Sequence, residues 1–150
     1  MPQSLVKNYI HIVFSTKHRQ PIIFADLAPQ LHSYLAGTCK NLDCPPIKIG
    51  GYLDHAHILC QLSKKLPLIK LLEEVKSSSS KWAKTIDDRW REFYWQNGYG
   101  AFSVNPAQVD QVVDYIENQE SHHKKKTFQD EYRGFLNEFR VEYDERYVWD

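Results

Sequence analysis

The chain has 150 residues, the usual size of one domain, and can bury a core without disulfides or a structural metal. Its 42% hydrophobic and 25% charged residues exclude wholesale disorder and a fibrous architecture. No apolar run approaches the roughly 20 residues of a membrane helix, and residues 1–5 lack the pattern of a secretory signal. We therefore expect a single domain over residues 1–150 of a cytoplasmic protein that contacts no membrane.

The charged residues are balanced overall, with 19 basic and 19 acidic side chains, so composition gives no global signature of nucleic-acid binding. Their distribution along the chain is uneven. Residues 1–126 hold 16 Lys or Arg and 12 Asp or Glu, a net charge of +4, whereas residues 127–150 hold 3 and 7, a net charge of −4. This pattern indicates a basic body and an acidic tail.

The first half of the chain predicts a helix between strands. Residues 6–15 are so rich in β-branched and aromatic side chains that they predict a largely buried strand. Residues 25–42 carry apolar side chains at helical spacing, with Asp26 as a candidate N-cap. Residues 47–62 predict two short strands that form a hairpin, joined near the glycines at 50–51.

The second half predicts a further strand between longer helices. Residues 68–86 follow Pro67 and predict a second helix, in which the serines at 77–80 leave a kink open. Residues 94–104 predict a strand or hairpin around an Asn-Gly turn signal. Residues 106–123 are the clearest helix, with an apolar stripe that consists of Val109, Val112, Val113 and Ile116. Residues 127–139 predict a last amphipathic helix.

The predicted order of elements defines the fold class. Strand, helix, strand, strand, helix, strand is the order of a ferredoxin-like α+β sandwich. We expect one antiparallel sheet with helices on one face, followed by additional C-terminal helices.

A histidine pair is the first candidate for chemistry. His55 and His57 are two apart in a predicted strand, so their imidazoles leave the same face of the sheet. Two neutral imidazoles placed in this way can share one divalent ion. The alternative is that both are half-buried, hydrogen-bonded core residues, and for a bare His-x-His pattern that alternative is the more frequent one.

A tyrosine and a glutamine form the second candidate. Tyr115 and Gln119 are four apart in a predicted helix, so they lie on a shared face that borders the apolar stripe. A tyrosine that attacks a phosphodiester needs no nucleotide cofactor, because the protein–DNA bond conserves the energy of the broken link. A divalent cation would stabilise the negative charge on the phosphate oxygens. The alternative is that Tyr115 widens the core stripe and Gln119 is merely solvated.

Three segments of the chain resemble one family. They are DHAHILC at residues 54–60, YIENQ at residues 115–119 followed by two histidines, and the closing GFLNEFRVEYDERYVW. The chain resembles the HUH single-tyrosine transposases of the insertion-sequence-200-like kind, which include REP-associated tyrosine transposases. The resemblance spans almost the whole chain, and the order and separation of the motifs make it specific.

The resemblance implies a set of site residues and a reaction. His55, His57 and Gln119 are expected to bind Mg²⁺ or Mn²⁺, and Tyr115 is expected to be the nucleophile. Such transposases act on single-stranded DNA with hairpin ends, leaving a 5′-phosphotyrosine and a free 3′-hydroxyl before they rejoin the strands. They work as homodimers, in which the tyrosine helix serves the histidines of the partner.

Basic residues near the predicted site are candidates for DNA contact, although charge runs are often only solvated surfaces. These candidates are Lys17, Arg19, Lys64, Lys65, His122, Lys124 and Lys125. Four aromatic residues could stack on unpaired bases, but core packing is the more frequent role. They are Trp82, Trp90, Trp95 and Tyr99.

Other functions fit parts of the same pattern. A non-catalytic single-stranded nucleic-acid-binding domain would use exposed aromatic side chains and no metal. A domesticated HUH endonuclease would retain the cutting chemistry without moving an element. A structural protein with a chance zinc site leaves the Tyr115 and Gln119 pair unexplained.

Overall fold

The computed structural model describes residues 2–150 and contains the predicted ferredoxin-like sheet. Its four strands are β1 (Tyr9–Ser15), β2 (Pro46–Tyr52), β3 (His55–Gln61) and β4 (Gly100–Val104). They pair antiparallel in the order β2-β3-β1-β4. The helices of the described chain are α1 (Ala28–Asn41), α2 (Leu68–Ile86), α3 (Val109–Glu117), α4 (Gln119–His123) and α5 (Phe128–Glu138).

Both faces of the sheet are covered by helices. On one face, Ile10, Ile12 and Phe14 of β1 pack into the main core with apolar residues of α1 and α2, as the fold class predicts. On the other face, Val13 packs with residues of α5, and Leu59 of β3 packs with Ile116 of α3. This double burial explains why β1 carries apolar side chains on both of its faces.

The hairpin of β2 and β3 turns later than the glycines suggest. Tyr52 pairs with His55, so the turn is formed by Leu53 and Asp54 rather than by residues 50–51. The glycines lie inside β2, where they permit close approach of neighbouring backbone. A Cβ on Gly51 would lie 2.2 Å from the carbonyl oxygen of His55, and its φ is +150°.

Both early elements are shorter than predicted, and α1 is not capped by Asp26. The strand β1 begins at Tyr9 rather than at residue 6, and α1 begins at Ala28 with Pro29 in its first turn. The Asp26 carboxylate instead accepts a hydrogen bond of 2.7 Å from Arg89, near the end of α2.

The helix α2 runs through its four serines without a break. The hydroxyls of Ser77 and Ser78 donate to the carbonyl oxygens one turn earlier, at 2.6 Å each. Ser79 accepts a hydrogen bond from the Trp95 indole, and Ser80 donates to the Phe93 carbonyl. Ser79 and Ser80 therefore face the segment that precedes β4, and the helix has no kink at its serines.

The segment after α2 contains one strand and a divided helix. The strand β4 covers residues 100–104 alone, and Trp95 makes only an isolated bridge to Thr16, so residues 94–104 form no hairpin of their own. The predicted helix over residues 106–123 begins as a 3-10 turn capped by Asn105 and divides into α3 and α4 at Asn118. Trp90 and Trp95 are buried in the main core, which leaves them unavailable for stacking on bases.

None of the helices within residues 2–150 combines the length and apolar character needed to cross a membrane.

The contact between β2 and α3 yields a prediction about Gly50. A Cβ on Gly50 would lie 2.7 Å from Ile116 Cγ2 and 3.0 Å from the Ile116 carbonyl oxygen. Gly50→Ala should therefore push α3 away from the sheet and lower the free energy of unfolding by about 1–3 kcal/mol, measured by urea denaturation. Gly37→Ala on α1 is the matched control, because nothing lies within 4 Å of its Cβ position. Equal stabilities of the two variants would contradict this packing.

Candidate active site and metal centre

A cluster of polar side chains lies between the sheet and the C-terminal helices. His55 and His57 extend from β3, and Gln119 and Glu131 reach them from α4 and α5. All four are buried, with at most 3% of their surface exposed. Buried polar groups need hydrogen-bond partners, and each of these finds them within the cluster.

One oxygen of Glu131 faces both histidines of β3. Its Oε1 lies 3.0 Å from His57 Nε2 and 3.4 Å from His55 Nε2. One ligand atom from each of the three residues lies within 4.8 Å of the others. Two imidazoles and a carboxylate form a donor set that suits first-row divalent metals, and the carboxylate also suits Mg²⁺ and Mn²⁺.

The other oxygen of Glu131 faces the tyrosine helix. The Tyr115 hydroxyl and the Gln119 amide nitrogen both donate to Oε2, the amide at 3.2 Å. His123 Nε2 lies 3.1 Å from the same oxygen. The carboxylate therefore joins the candidate nucleophile to the candidate metal ligands within one chain.

Gln119 contacts the histidines as well as the carboxylate. Its Oε1 lies 2.9 Å from His55 Nε2 and 3.0 Å from His123 Nε2. The chain thus brings together His55, His57, Gln119 and Tyr115, which were singled out from sequence, and adds Glu131 to them.

Each histidine of β3 is also held at its second ring nitrogen. His55 Nδ1 lies 2.7 Å from the Asp54 carboxylate, in the turn before β3. His57 Nδ1 lies 2.8 Å from Nε2 of His11 on β1. Such contacts fix the orientation of an imidazole and leave its Nε2 directed at Glu131.

The negative charges of Glu131 and Asp54 control the titration of His55. Burial alone would lower the pKa of His55, but hydrogen bonds to Asp54 and Glu131 outweigh it and raise the pKa to about 9. Burial would likewise raise the pKa of Glu131, yet hydrogen bonds from His123, His55 and His57 lower it well below its usual range. Glu131 is therefore a carboxylate at neutral pH.

His57 and Tyr115 are shifted toward their neutral forms. Burial lowers the pKa of His57 despite its contact with Glu131. Burial and the charge of Glu131 raise the pKa of Tyr115 well above its usual range. The phenol therefore keeps its proton in this arrangement.

The site is closed to solvent at its ligand atoms. The side chains of His55, His57 and Glu131 are no more than 2% exposed. A cavity of about 210 Å³ beside Asp54 and His123 reaches the edge of the cluster without opening it. A phosphate group can contact the histidines only after α4 or α5 shifts.

The basic residues after the strands lie at opposite ends of β3. Lys17 and Arg19 follow β1, whose last residue pairs with His55. Lys64 and Lys65 follow the other end of β3, and seven strand residues span about 20 Å. Only the first pair therefore lies at the histidine end of the sheet.

Of the remaining predicted basic residues, His122 lies directly beside the tyrosine. The ring of His122 lies 4.7 Å from the ring of Tyr115. Lys124 and Lys125 follow α4 and are exposed. The contact with Tyr115 is therefore made by His122, and the two lysines form an exposed basic segment that follows it.

Three cluster residues were not identified from sequence, and one of them leaves a recognisable signal. Glu131 lies in the middle of an apolar helical stripe that also contains Phe128, Tyr132, Phe135 and Leu136. A charged residue at the centre of such a stripe is buried and needs partners. His11 occupies a similar position in the doubly buried strand β1, whereas His123 leaves no comparable signal.

Fold and site together define a ferredoxin-like domain in which a strand-borne histidine pair faces a helix-borne tyrosine. The family model described as "Transposase IS200 like" matches residues 4–119. The chain belongs to this transposase family.

Two solved structures share the fold. One is a protein of Deinococcus radiodurans R1 described as a candidate transposase, with a TM-score of 0.62 and 18% identity over 79% of this chain and 96% of the other. The second is a REP-associated tyrosine transposase bound to a REP hairpin, with a TM-score of 0.59 and 12% identity over 82% of this chain and 73% of the other. No protein of curated function matches the chain.

The buried carboxylate yields a stability prediction. Glu131→Ala leaves His55, His57 and His123 without their shared acceptor, so it should lower the free energy of unfolding by about 3 kcal/mol or more. Glu138→Ala, an exposed glutamate on the same helix, should change it by no more than about 0.5 kcal/mol. Urea denaturation of the metal-free proteins measures both values. A Glu131→Ala protein as stable as its control would mean that the carboxylate does not organise the cluster.

Proposed function

We propose that this chain cuts and rejoins single-stranded DNA through a 5′-phosphotyrosine intermediate formed on Tyr115, with the help of a divalent metal. One observation carries the proposal: the Tyr115 hydroxyl and the Nε2 atoms of His55 and His57 meet on a single carboxylate, that of Glu131. A core role for the histidines and the tyrosine would not require a buried negative charge between them.

The reaction needs only the protein, the DNA and the cation. The Tyr115 oxygen attacks the phosphorus, and the bond from phosphorus to the 3′-oxygen breaks. The phenolic proton passes to water as the attack proceeds, and the departing 3′-oxygen takes up a proton from water to become a hydroxyl. Attack by a 3′-hydroxyl on the phosphotyrosine reverses these steps and rejoins a strand, so no nucleotide cofactor is needed.

The donor set fits the expected Mg²⁺ or Mn²⁺. His55, His57 and Gln119 are the ligands implied by the family, and Glu131 adds a charged oxygen in contact with both histidines. The ion supplies charge that polarises the phosphoryl oxygens and stabilises the leaving oxygen. Coordination by Glu131 would also draw its negative charge away from Tyr115, which favours loss of the phenolic proton.

We propose that the DNA partner is a single strand with hairpin ends. A structural neighbour of this chain is bound to a REP hairpin, which supports this class of DNA. Lys17 and Arg19 at the histidine end of the sheet, together with Lys124 and Lys125 beyond α4, would hold phosphates on both sides of the scissile one. Lys64 and Lys65 would contact a more distant part of the same DNA.

The alternatives gain no specific support. A non-catalytic binder of the predicted type needs exposed aromatic side chains. The candidates Trp90 and Trp95 are in the core, and the exposed aromatic residues are Tyr94, Phe139 and Tyr147. Such a binder also gives no reason for the buried polar cluster. A domesticated endonuclease would use the same residues for the same chemistry and differs only in its biological setting.

The first functional prediction concerns Tyr115. With Mn²⁺ and a pool of single-stranded oligonucleotides that tile the DNA flanking the gene, the wild-type protein should form a covalent protein–DNA band on a denaturing gel. Tyr115→Phe removes one oxygen and should abolish the band, while DNA binding in a filter assay persists. Tyr147→Phe, at a tyrosine that is 64% exposed, should leave the band unchanged. An undiminished adduct in Tyr115→Phe would transfer the role to another tyrosine, such as Tyr132.

The second functional prediction concerns the homodimer. Because Tyr115 and the histidines already meet within one chain, we propose that each site works with its own tyrosine, whether or not the protein forms a dimer. Tyr115→Phe protein and His55→Ala, His57→Ala protein should then each be inactive, and co-expressed heterodimers should remain so. Recovery of about half the activity in heterodimers isolated with two affinity tags would instead establish the shared site that the family resemblance implies.

A further inference from the structure

We propose that His11 is a positioning residue that hydrogen-bonds Nδ1 of His57 in both neutral tautomers of that ring and thereby allows its Nε2 to exchange a proton for the metal. This role rests on the proposed metal site, but it concerns a different strand and a different hydrogen bond. His11 is 3% exposed, and its Nε2 lies 2.8 Å from Nδ1 of His57.

The strand register brings the two rings together. In the β1 and β3 pairing, His57 lies opposite Val13, and His11 lies two residues further along β1 on the same face. Diagonal neighbours in an antiparallel pair are within reach of aromatic side chains. The two rings stack with their centroids 5.0 Å apart, and Phe135 of α5 packs edge-on against His11.

A neutral imidazole carries one ring proton, so the contact links the protonation of both rings. Without metal, His57 Nε2 faces the Glu131 carboxylate, which only accepts, so the proton of His57 lies on Nε2. Its Nδ1 then accepts a hydrogen bond from His11 Nε2. A metal-bound Nε2 carries no proton, so the proton of His57 must lie on Nδ1 and be donated to His11.

A histidine at position 11 satisfies both states. His11 donates from Nε2 in the first state and accepts at Nε2 in the second, when its own proton lies on Nδ1. The two neutral rings hold two ring protons in each state, and solvent exchanges the protons that move. A carboxylate can only accept, as Asp54 does toward His55, so it would favour the metal-bound tautomer alone.

Two substitutions of His11 distinguish the effect of losing its hydrogen bond to His57 from the effect of losing its packing. His11→Leu fills the site with an apolar side chain that neither donates nor accepts. His11→Gln has an amide that reaches the position of Nε2 and can present either its oxygen or its NH₂ group. His32→Leu on α1 is the matched control, because His32 is a partly buried histidine whose Nε2 has no hydrogen-bond partner.

The test is Mn²⁺ affinity, measured from the free-ion signal in electron paramagnetic resonance, without DNA or turnover. His11→Leu should bind Mn²⁺ about 10–100-fold more weakly than the wild type, and His11→Gln should recover most of that loss. His32→Leu should bind like the wild type. An unchanged affinity in His11→Leu, or a His11→Gln protein as weak as His11→Leu, would overturn the proposal.

Ring nitrogen shifts in ¹⁵N-histidine NMR test the same role without any variant. The proton of His57 should lie on Nε2 in the metal-free protein and on Nδ1 after addition of Zn²⁺, a diamagnetic probe, while the proton of His11 moves from Nε2 to Nδ1. A His57 tautomer that is unchanged after addition of Zn²⁺ would overturn the proposal. A protein whose Mn²⁺ affinity depends on His11 as expected, yet which forms no adduct with DNA, would instead contradict the proposed function alone.

Discussion

The arrangement of the C-terminal half depends on the buried negative charge of Glu131. An unpaired carboxylate at this depth would be strongly destabilising, so the fold must supply it with donors. They come from three elements: His55 and His57 from β3, Tyr115 from α3, and Gln119 with His123 from α4. Satisfying one carboxylate therefore fixes α3, α4 and α5 against the same end of the sheet.

The same charge sets the chemical state of the site. Burial and this charge together keep Tyr115 protonated, because a buried phenolate is poorly solvated and is repelled by the neighbouring carboxylate. The charge also holds a proton on His55, whose pKa of about 9 is maintained by Glu131 and Asp54. A divalent cation held by the histidines would also interact with the Glu131 carboxylate. Without the cation, Tyr115 and His55 keep their protons, while the side chains of the site remain assembled.

Local pattern predicted the elements of the fold and, together with the family resemblance, singled out four residues that meet in the candidate site. The alternation of strand side chains placed His55 and His57 on one face, and helical spacing placed Tyr115 beside Gln119. Local pattern could not predict which side chains from distant elements contact these residues. In the sequence, Glu131 is one of several charged residues on an acidic, amphipathic helix. Only its position within the apolar stripe indicates that it is buried.

The remaining errors share a cause. The Gly50 and Gly51 pair has the composition of a turn, but the turn is formed by Leu53 and Asp54. Gly50 lies inside β2, where the absence of a side chain lets Ile116 pack against the strand. The break at Asn118 likewise follows from tertiary contacts: it separates α3 from α4, while Gln119 and His123 both reach Glu131. Such features depend on which surfaces meet, which a local pattern does not contain.

The central claim is that the two strand histidines and Glu131 hold one divalent ion next to Tyr115. Anomalous scattering from crystals soaked in Mn²⁺ tests it most directly. The account predicts a single strong peak within coordination distance of His55 Nε2, His57 Nε2 and a Glu131 oxygen, on the side that faces the Tyr115 hydroxyl. A well-ordered site that stays empty at high Mn²⁺, or a peak bound elsewhere, would contradict it.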